Sequence, residues 1–383
     1  MTEVDPGAVN PGSDSRLVWR MPRAGSLTAL RLERDPLPPP GDGEARVAVR
    51  AVGLNLADVF ACLGMYSATP EGPFVPGLEV AGVVEEIGPS RREAGAGTGS
   101  RAPQAAGAGR SLSAPVRPGD RVIGLTRFGA YATAVNLDVR YLRPLPAPWS
   151  YAEGAAFPVQ ALTACYAAED LGRVRPGELV LVHSAAGGVG LNALTLLSAL
   201  RARVIGTVGS EAKRELLVER GLLPKGQVFV RDRRRFEAQL QAALAALGAD
   251  GLDLVLDGVA GPFFEPAYRK LRAGGRYVVF GASDFMPRGE GKTVLRLLPR
   301  YLNRPFLDPL RMMSANRSVA GFNLIWLWDQ LDRLGGLYER ATQVLPAPPF
   351  VGRAFPFEEA PAALRWLKDG TSVGKVVLEN DRP

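Results

Sequence analysis

The chain has 383 residues, 46% of them hydrophobic, which is long enough for two domains that each bury their own core. Its formal net charge is +7 at pH 7. Because the basic residues are scattered, this charge favours small anionic ligands or an acidic membrane surface over nucleic acid. Two cysteines and one histidine are too few for a structural zinc site built from such ligands, or for a disulfide framework.

The N-terminal stretch gives no targeting signal. Residues 1–15 lack the basic start and apolar core of a signal peptide. No stretch approaches the roughly 18 to 20 apolar residues of a membrane span. We therefore expect a soluble, cytoplasmic protein in a reducing compartment.

The first part of the chain is predicted to be mostly β. Residues 44–52 alternate in the manner of a strand, and further β-rich runs follow at 80–87, 120–125 and 129–135. Between them, residues 90–115 consist almost wholly of Ala, Gly, Ser, Arg and Pro. Such a composition buries too little apolar surface to order itself, and it predicts a flexible surface insertion.

After residue 152 the pattern changes to strands that alternate with helices, which predicts a parallel sheet with crossover helices. Strands are predicted at 178–183, 204–208, 228–230, 252–256 and 276–280, and helices at 191–200, 212–220 and 236–247. The pattern stops at residues 281–317. A helix at 360–368 and a strand at 375–378 close the chain.

A glycine-rich turn lies between the first strand and helix of this second pattern. It reads Ser-Ala-Ala-Gly-Gly-Val-Gly over residues 184–190. Glycines let the backbone approach a pyrophosphate while the next helix points its N-terminal amides at it. The turn therefore predicts a Rossmann-type dinucleotide site, the alternative being a turn that serves only to pack the strand against the helix.

The end of the second strand indicates which dinucleotide is bound. An NAD site usually carries an acidic residue there for the ribose 2′-hydroxyl, but residues 205–210 contain none. Lys213 and Arg214 follow and could pair with a 2′-phosphate, which favours NADPH. Glu211 counts against this, and a solvated helix face is the alternative for the two cations.

Six motifs in order resemble the zinc-independent quinone oxidoreductases of the medium-chain dehydrogenase/reductase superfamily. They are Val-Gly-Leu-Asn-Leu-Ala-Asp (52–58), Gly-Met-Tyr (64–66), Pro-Gly-Leu-Glu-Val-Ala-Gly-Val-Val (76–84), Val-Arg-Pro-Gly-Asp-Arg-Val (116–122), the glycine turn, and Val-Gly-Lys-Val-Val-Leu (373–378). Residues 309–324 resemble the branch that contains the vesicle amine transport protein of synaptic vesicle membranes.

The resemblance implies an α/β architecture of two domains. A GroES-like, mostly β catalytic domain is expected from residues 1–155 and 320–383, and a doubly wound Rossmann-type domain from 156–319. The active site would lie in the cleft between them. A homodimer through the edge of the cofactor sheet is expected by the same analogy.

The resemblance also implies a reaction class. Zinc alcohol dehydrogenases place a histidine where this chain has Leu78, so no metal Lewis acid is expected to ionise an alcohol. What remains is hydride transfer from NADPH to a quinone or an α,β-unsaturated carbonyl. Tyr66 is expected to polarise the acceptor oxygen or donate a proton, with Asn55 beside the nicotinamide. The alternative is that Tyr66 only shapes the pocket while water supplies the proton.

Cofactor contacts carry over from the family position by position. They are Asn55, Thr163, Ala186, Gly187, Gly188, Val189, Gly209, Ser210, Lys213, Arg231, Phe280, Gly281, Phe322 and Asn323. At Arg231 relatives often have Tyr or His; a guanidinium can stack on adenine or bind phosphate, and a solvated helix start is the alternative. No metal ligand is predicted.

Four residues of types that often act in catalysis are interpreted as structural. His183 closes an apolar strand before the turn, too deep in the cofactor site to act on a substrate. Asp58 is read as a hydrogen-bonding residue, and Cys62 and Cys165 as core residues.

Two other functions compete with the enzymatic one. In residues 293–313, arginines interrupt a Leu, Phe and Met background, a composition found in segments that bind anionic membranes; this favours a lipid-surface or lipid-transfer protein with little turnover. Prolines break any long helix there, so a lid over the active site or a dimer contact is preferred. A protein that binds NADPH as a sensor, without catalysis, is the third possibility.

Overall fold

The computed structural model describes residues 15–89, 116–287, 302 and 304–382. The predicted insertion at 90–115 lies outside these residues, and so do residues 293–301 and 303 of the segment 293–313. Strands and helices of the first part are β1 (Ser15–Arg20), β2 (Arg31–Pro36), β3 (Glu44–Leu54), α1 (Leu56–Cys62), β4 (Glu79–Ile87), β5 (Arg121–Leu125), β6 (Ala134–Asp138), β7 (Leu142–Pro144), α2 (Tyr151–Ala155) and α3 (Pro158–Cys165).

The second part begins with a strand and a helix that flank the glycine turn. Its elements are β8 (Leu179–His183), α4 (Gly188–Ala199), β9 (Arg203–Val208), α5 (Glu211–Glu219), β10 (Val228–Val230), α6 (Phe236–Ala246), β11 (Leu252–Asp257), α7 (Phe264–Arg269), β12 (Leu271–Val279), α8 (Pro309–Ala315), β13 (Ser318–Gly321) and α9 (Leu331–Val344). The chain ends with β14 (Val351–Pro356), α10 (Ala360–Lys368) and β15 (Lys375–Glu379).

The first sheet contains strands from both ends of the chain. Its order is β14-β15-β3-β4-β5-β7, with β6 also paired to β3. Strand β3 shows the predicted alternation: Ala45, Val47 and Val49 are buried while Arg46 faces outward. Strand β15 pairs antiparallel with β3, so the C-terminal strand completes a sheet that the N-terminal part begins.

The second sheet is parallel and has the order β10-β9-β8-β11-β12-β13. Val180 and Val182 pack on the face covered by α3 and α4, while Leu179 and Leu181 pack with α6 and α7 on the other. Both faces are therefore buried, which explains why the strand is a continuous apolar run. The predicted α/β fold with a doubly wound sheet is confirmed.

Several elements differ from the predictions. The strand predicted at 129–135 begins only at Ala134, because the backbone of Tyr131 instead bonds to the backbones of Trp19 and Pro76. Helix α4 begins at Gly188 rather than at residue 191. Strand β13, which extends the parallel sheet, was not predicted, since its four residues carry too little periodicity to be recognised.

Each helix in the described ranges is too short or too polar to cross a bilayer.

Two glycines provide a matched test of this packing. A Cβ on Gly53 would lie 2.1 Å from the backbone oxygen of Ala155, whereas a Cβ on Gly336, in α9, meets no atom within 4 Å. We expect Gly53→Ala to lower the free energy of unfolding by about 1–3 kcal/mol through overpacking. Gly336→Ala should raise it by about 0.5–1 kcal/mol through helix propensity. Urea denaturation measures both, and equal effects of the two substitutions would contradict the packing described here.

Candidate functional site

A cleft of about 900 Å³ lies between the two sheets. It opens at the carboxyl ends of the parallel strands, where the strand order reverses between β8 and β11, the usual ligand position in such folds. All but one of the predicted site residues line it: Asn55, Tyr66, Thr163, Ala186, Gly187, Gly188, Val189, Gly209, Lys213, Arg231, Phe280, Gly281, Phe322 and Asn323. The exception is Ser210, which is exposed at the N-cap of α5.

The glycine turn is built so that backbone can approach a ligand. Ser184 has a φ of 55°, a left-handed conformation that bends the chain from β8 into α4. A Cβ on Gly190 would lie 2.4 Å from the carbonyl oxygen of Ser184, and one on Gly188 would lie 2.6 Å from Oε1 of Gln160. Gly190 therefore requires glycine, because the clash is with backbone, whereas a Cβ at position 188 would displace the end of the Gln160 side chain. Helix α4 directs its N-terminal amides and positive dipole end into the cleft.

Two cations, Arg231 and Lys213, lie near each other at one end of the cleft. Arg231 Nη1 donates to Thr207 Oγ1 at 3.2 Å, and burial lowers the pKa of Arg231 to about 10, against the opposing effects of Asp257 and Asp284. Burial, followed by the charge of Arg231, lowers the pKa of Lys213. Two positive charges that are close together and shielded from water repel each other, so an anion bound between them would stabilise both.

Arg214 and Glu211 do not take part in this site. They form an ion pair with each other on α5, and neither side chain lines the cleft. Glu211 therefore leaves the charge of Lys213 uncompensated, and Lys213 Nζ instead donates to the carbonyl oxygen of Gly370 at 2.6 Å. Of the two cations that the sequence analysis named for a 2′-phosphate, only Lys213 therefore lines the cleft.

His183 is buried beneath the turn. Its Nδ1 lies 2.9 Å from Thr207 Oγ1, and burial lowers its pKa to about 4, so the ring is neutral at physiological pH. Cys62 and Cys165 are buried free thiols, and burial raises the pKa of Cys165 to about 12. These environments agree with the structural interpretation of all three residues.

Tyr66 lines another part of the cleft, together with Asn323. Its hydroxyl donates to Asn323 Oδ1 at 2.8 Å, and burial raises its pKa to about 12. The phenol therefore remains protonated throughout the neutral range. A carbonyl that displaces Asn323 would accept the same proton.

The remaining wall of this part of the cleft is apolar. It is formed by Leu54, Leu56, Leu78, Leu125, Met286, Phe322, Leu324, Ile325, Trp328 and Leu334. Leu78 is buried, in the position where zinc enzymes carry a histidine. In the part of the chain that the structure describes, no cluster of three or more His, Cys, Asp or Glu side chains could hold a metal ion.

Asn55, which lines the cleft, belongs to a buried polar network whose other members the sequence analysis did not single out. Lys375 Nζ donates to Glu79 Oε1 at 2.5 Å and to Asn55 Oδ1 at 2.8 Å. Gln160 Nε2 donates to the same Asn55 oxygen at 2.6 Å. The sequence did carry a signal for this network. Glu79 and Lys375 are each the only charged residue in an otherwise apolar motif, at 76–84 and 373–378, and isolated charges in such motifs are buried only when paired.

Asp58 has the structural role expected of it. Its Oδ2 accepts from the backbone N–H of Asn55 at 2.8 Å and from the Tyr131 hydroxyl at 3.2 Å. This caps α1 and fixes the position of Asn55 at the edge of the cleft. Burial raises the pKa of Asp58 to about 7.

Known proteins resemble the chain over nearly its full length. Residues 41–147 match the family described as "Alcohol dehydrogenase GroES-like domain", and residues 226–378 match "Zinc-binding dehydrogenase". The synaptic vesicle membrane protein VAT-1 homolog of Mus musculus is 28% identical over 92% of this chain and 81% of its own length.

Solved structures agree with these matches. The quinone oxidoreductase from Thermus thermophilus, also solved in complex with NADPH, is 33% identical, with a TM-score of 0.68 over 95% of this chain and 99% of that one. The human VAT-1 homolog-like protein is 26% identical, with a TM-score of 0.76 over 97% of this chain and 100% of that one.

Proposed function

Because this chain belongs to the medium-chain dehydrogenase/reductase superfamily, with quinone oxidoreductases and VAT-1 homologues among its relatives, we propose that it is an NADPH-dependent oxidoreductase that acts without zinc on a quinone or an α,β-unsaturated carbonyl. The observation that carries this proposal is the polarity of the cleft. A dinucleotide turn and two desolvated cations occupy one end, and an apolar wall with one tyrosine hydroxyl occupies the other.

The cations support NADPH as the cofactor. Lys213 and Arg231 can share the dianionic 2′-phosphate, because each is a partly desolvated cation whose charge the protein compensates only in part. A structure of the Thermus relative was solved with NADPH, which supports the same assignment here. When bound, NADPH supplies the hydride from its nicotinamide.

The apolar wall supports a neutral, electron-poor acceptor. Hydride added to the β-carbon of an enone, or to a quinone, places negative charge on the carbonyl oxygen, and a proton must then follow. Tyr66 can stabilise that oxygen by donating a hydrogen bond and can supply the proton. Leu78 offers no metal ligand at the position where zinc enzymes have one, so a hydroxyl group has to supply the polarisation.

Cofactor preference should depend on the two cations. We expect Lys213→Ala and Arg231→Ala each to weaken NADPH binding by about tenfold or more, since each removes a charge-assisted contact of about 1.5–3 kcal/mol. NADH, which lacks the 2′-phosphate, should change by less than about threefold. Fluorescence titration measures both affinities, with Arg214→Ala as the control. Equal losses for the two cofactors would show that the cations do not bind the 2′-phosphate.

Turnover tests the proposed reaction itself. The native protein should oxidise NADPH with 9,10-phenanthrenequinone or an alkyl enone, and Tyr66→Phe should lower kcat for the enone by about 10²-fold or more, as expected for loss of a general acid. Since the raised pKa of Tyr66, about 12, keeps the hydroxyl protonated, kcat should stay flat up to about pH 10 and fall only as pH approaches that pKa.

Two results would contradict this assignment. A fall in kcat near pH 8 that is absent from Tyr66→Phe would mean that the Tyr66 hydroxyl ionises at a far lower pH than proposed. Tight NADPH binding with no turnover of any quinone or enone would favour the sensor function instead.

A group of exposed apolar side chains is compatible with two further functions, contact with a second copy of the chain or contact with a membrane surface. Leu302, Phe306, Leu310 and Met313 are exposed large apolar side chains, and Phe306 is 87% exposed. Leu310 and Met313 lie on α8, which precedes β13 in the chain, and β13 is the last strand of the parallel sheet. Because an edge strand with apolar neighbours is a template for further pairing, we propose that a second copy of the chain covers this surface in preference to a membrane.

Sedimentation velocity decides between these occupants. The native chain should sediment as a dimer, and Phe306→Ser/Leu310→Ser/Met313→Ser should sediment as a monomer because the apolar contact is lost. A native monomer would contradict the dimer. If that monomer floats with phosphatidylserine-containing vesicles and is released by high salt, the membrane function is favoured.

A further inference from the structure

A buried ion pair lies near the glycine turn and near the apolar wall of the cleft, which we call the acceptor wall because the proposed hydride acceptor would contact it. The side chains of Glu79 and Lys375 are 0% and 3% exposed. Glu79 begins β4 and Lys375 begins β15, and both strands flank β3 in the first sheet. The pair therefore joins three strands of the catalytic half at the point where they reach the cleft.

The amide of Asn55 is fully used inside this network. Its Oδ1 accepts from Gln160 and Lys375, and its Nδ2 donates to Glu79 at 2.9 Å and to the carbonyl oxygen of Gly53 at 3.3 Å. An asparagine side chain has two acceptor sites and two donors, so all four are occupied by protein. The ammonium and the carboxylate also fix which way the amide points.

The same network reaches the cofactor half through α3. Glu79 Oε2 accepts from the backbone N–H of Val159 at 2.8 Å, and the Gln160 side chain packs against Gly188 of the turn. Residue 374, next to Lys375, donates its N–H to the carbonyl oxygen of Ala186 at 2.9 Å. One carboxylate oxygen of Glu79 and the strand of Lys375 are thus tied to the elements that hold the glycine turn.

We propose that Glu79 and Lys375 are positioning residues for hydride transfer, which hold Asn55 and Gln160 so that the glycine turn and the acceptor wall keep a fixed separation. On this view Asn55 is a link within the network and not a hydrogen-bond donor to a ligand. The inference rests on the proposed function, because the separation matters only if hydride crosses the cleft.

Stability alone does not account for the pair. The desolvation of two buried charges offsets most of their attraction, and apolar replacements of similar volume are often as stable. A fixed arrangement of donors and acceptors is what an apolar pair cannot supply, and small displacements of reacting groups are costly to hydride transfer.

An exchange of charge between two positions tests the proposal. Asn55→Asp places two carboxylates beside one ammonium, and Glu79→Gln removes the carboxylate. The double variant Asn55→Asp/Glu79→Gln restores one negative charge beside Lys375, with the amide now at position 79. We expect each single variant to lower kcat and to weaken NADPH binding by about tenfold, and the double variant to recover both to within about threefold, as coupled neighbours do.

Two further variants belong to the experiment: Gln160→Leu, and a double variant that removes an ion pair remote from the cleft. Gln160→Leu changes no charge, so it should fold even if the single variants do not, and it should lower kcat by about fivefold or more. Glu178→Gln/Arg276→Met removes a partly buried ion pair away from the cleft, with its two side chains each 19% exposed. It should lower the Tm without changing kcat or the NADPH Kd.

The outcomes separate positioning from structure and from function. Variants at residues 55, 79 and 160 that lower only the Tm, like the remote pair, would overturn the proposal. So would a folded double variant that is as impaired as the single ones. A native protein that binds NADPH but reduces no acceptor would refute the proposed function, and the network would then be judged on the NADPH Kd alone.

Discussion

A buried lysine must have an acidic partner, and in this protein that requirement joins distant parts of the chain. The contact between Lys375 and Glu79 pairs the last strand with the first sheet at its buried centre. An unpaired charge at either position would be strongly destabilising. The sheet, the first helix and the entry into the cofactor half therefore all depend on one ion pair, and the cleft opens directly above it.

The opposite end of the cleft shows the reverse situation. Arg231 and Lys213 are desolvated cations near one another, and the nearby acid on α5 is taken up by a different arginine. The protein thus leaves two positive charges only partly compensated at the place where a ligand phosphate would compensate them. Binding of such a phosphate relieves a cost that folding has already imposed.

The lining of the cleft includes a charged part that contains Arg231 and Lys213 and a largely apolar part that contains Tyr66. In this apolar part the Tyr66 hydroxyl donates to Asn323 Oδ1, so a contact between residues 257 positions apart in the chain holds the hydroxyl in place. In the proposed reaction, a hydroxyl that is held in place before the acceptor binds would require less reorganisation. The apolar walls would also exclude water from the path of the hydride.

The sequence by itself determined the alternation of strands and helices, the glycine turn and the absence of an acid after the second strand of that pattern. These are local features, since periodicity and turn chemistry act over a few residues. It also indicated Tyr66 and Asn55 through their motifs.

Only the tertiary structure decided which groups meet. Strand β13 gained its place by pairing with β12, and Tyr131 was drawn from a predicted strand into contacts with the first strand pair. Lys375 and Glu79 are separated by nearly 300 residues, so no local pattern pairs them. Their contact, and the position of Lys213 rather than Arg214 in the cleft lining, depend on how the folded chain brings distant residues together.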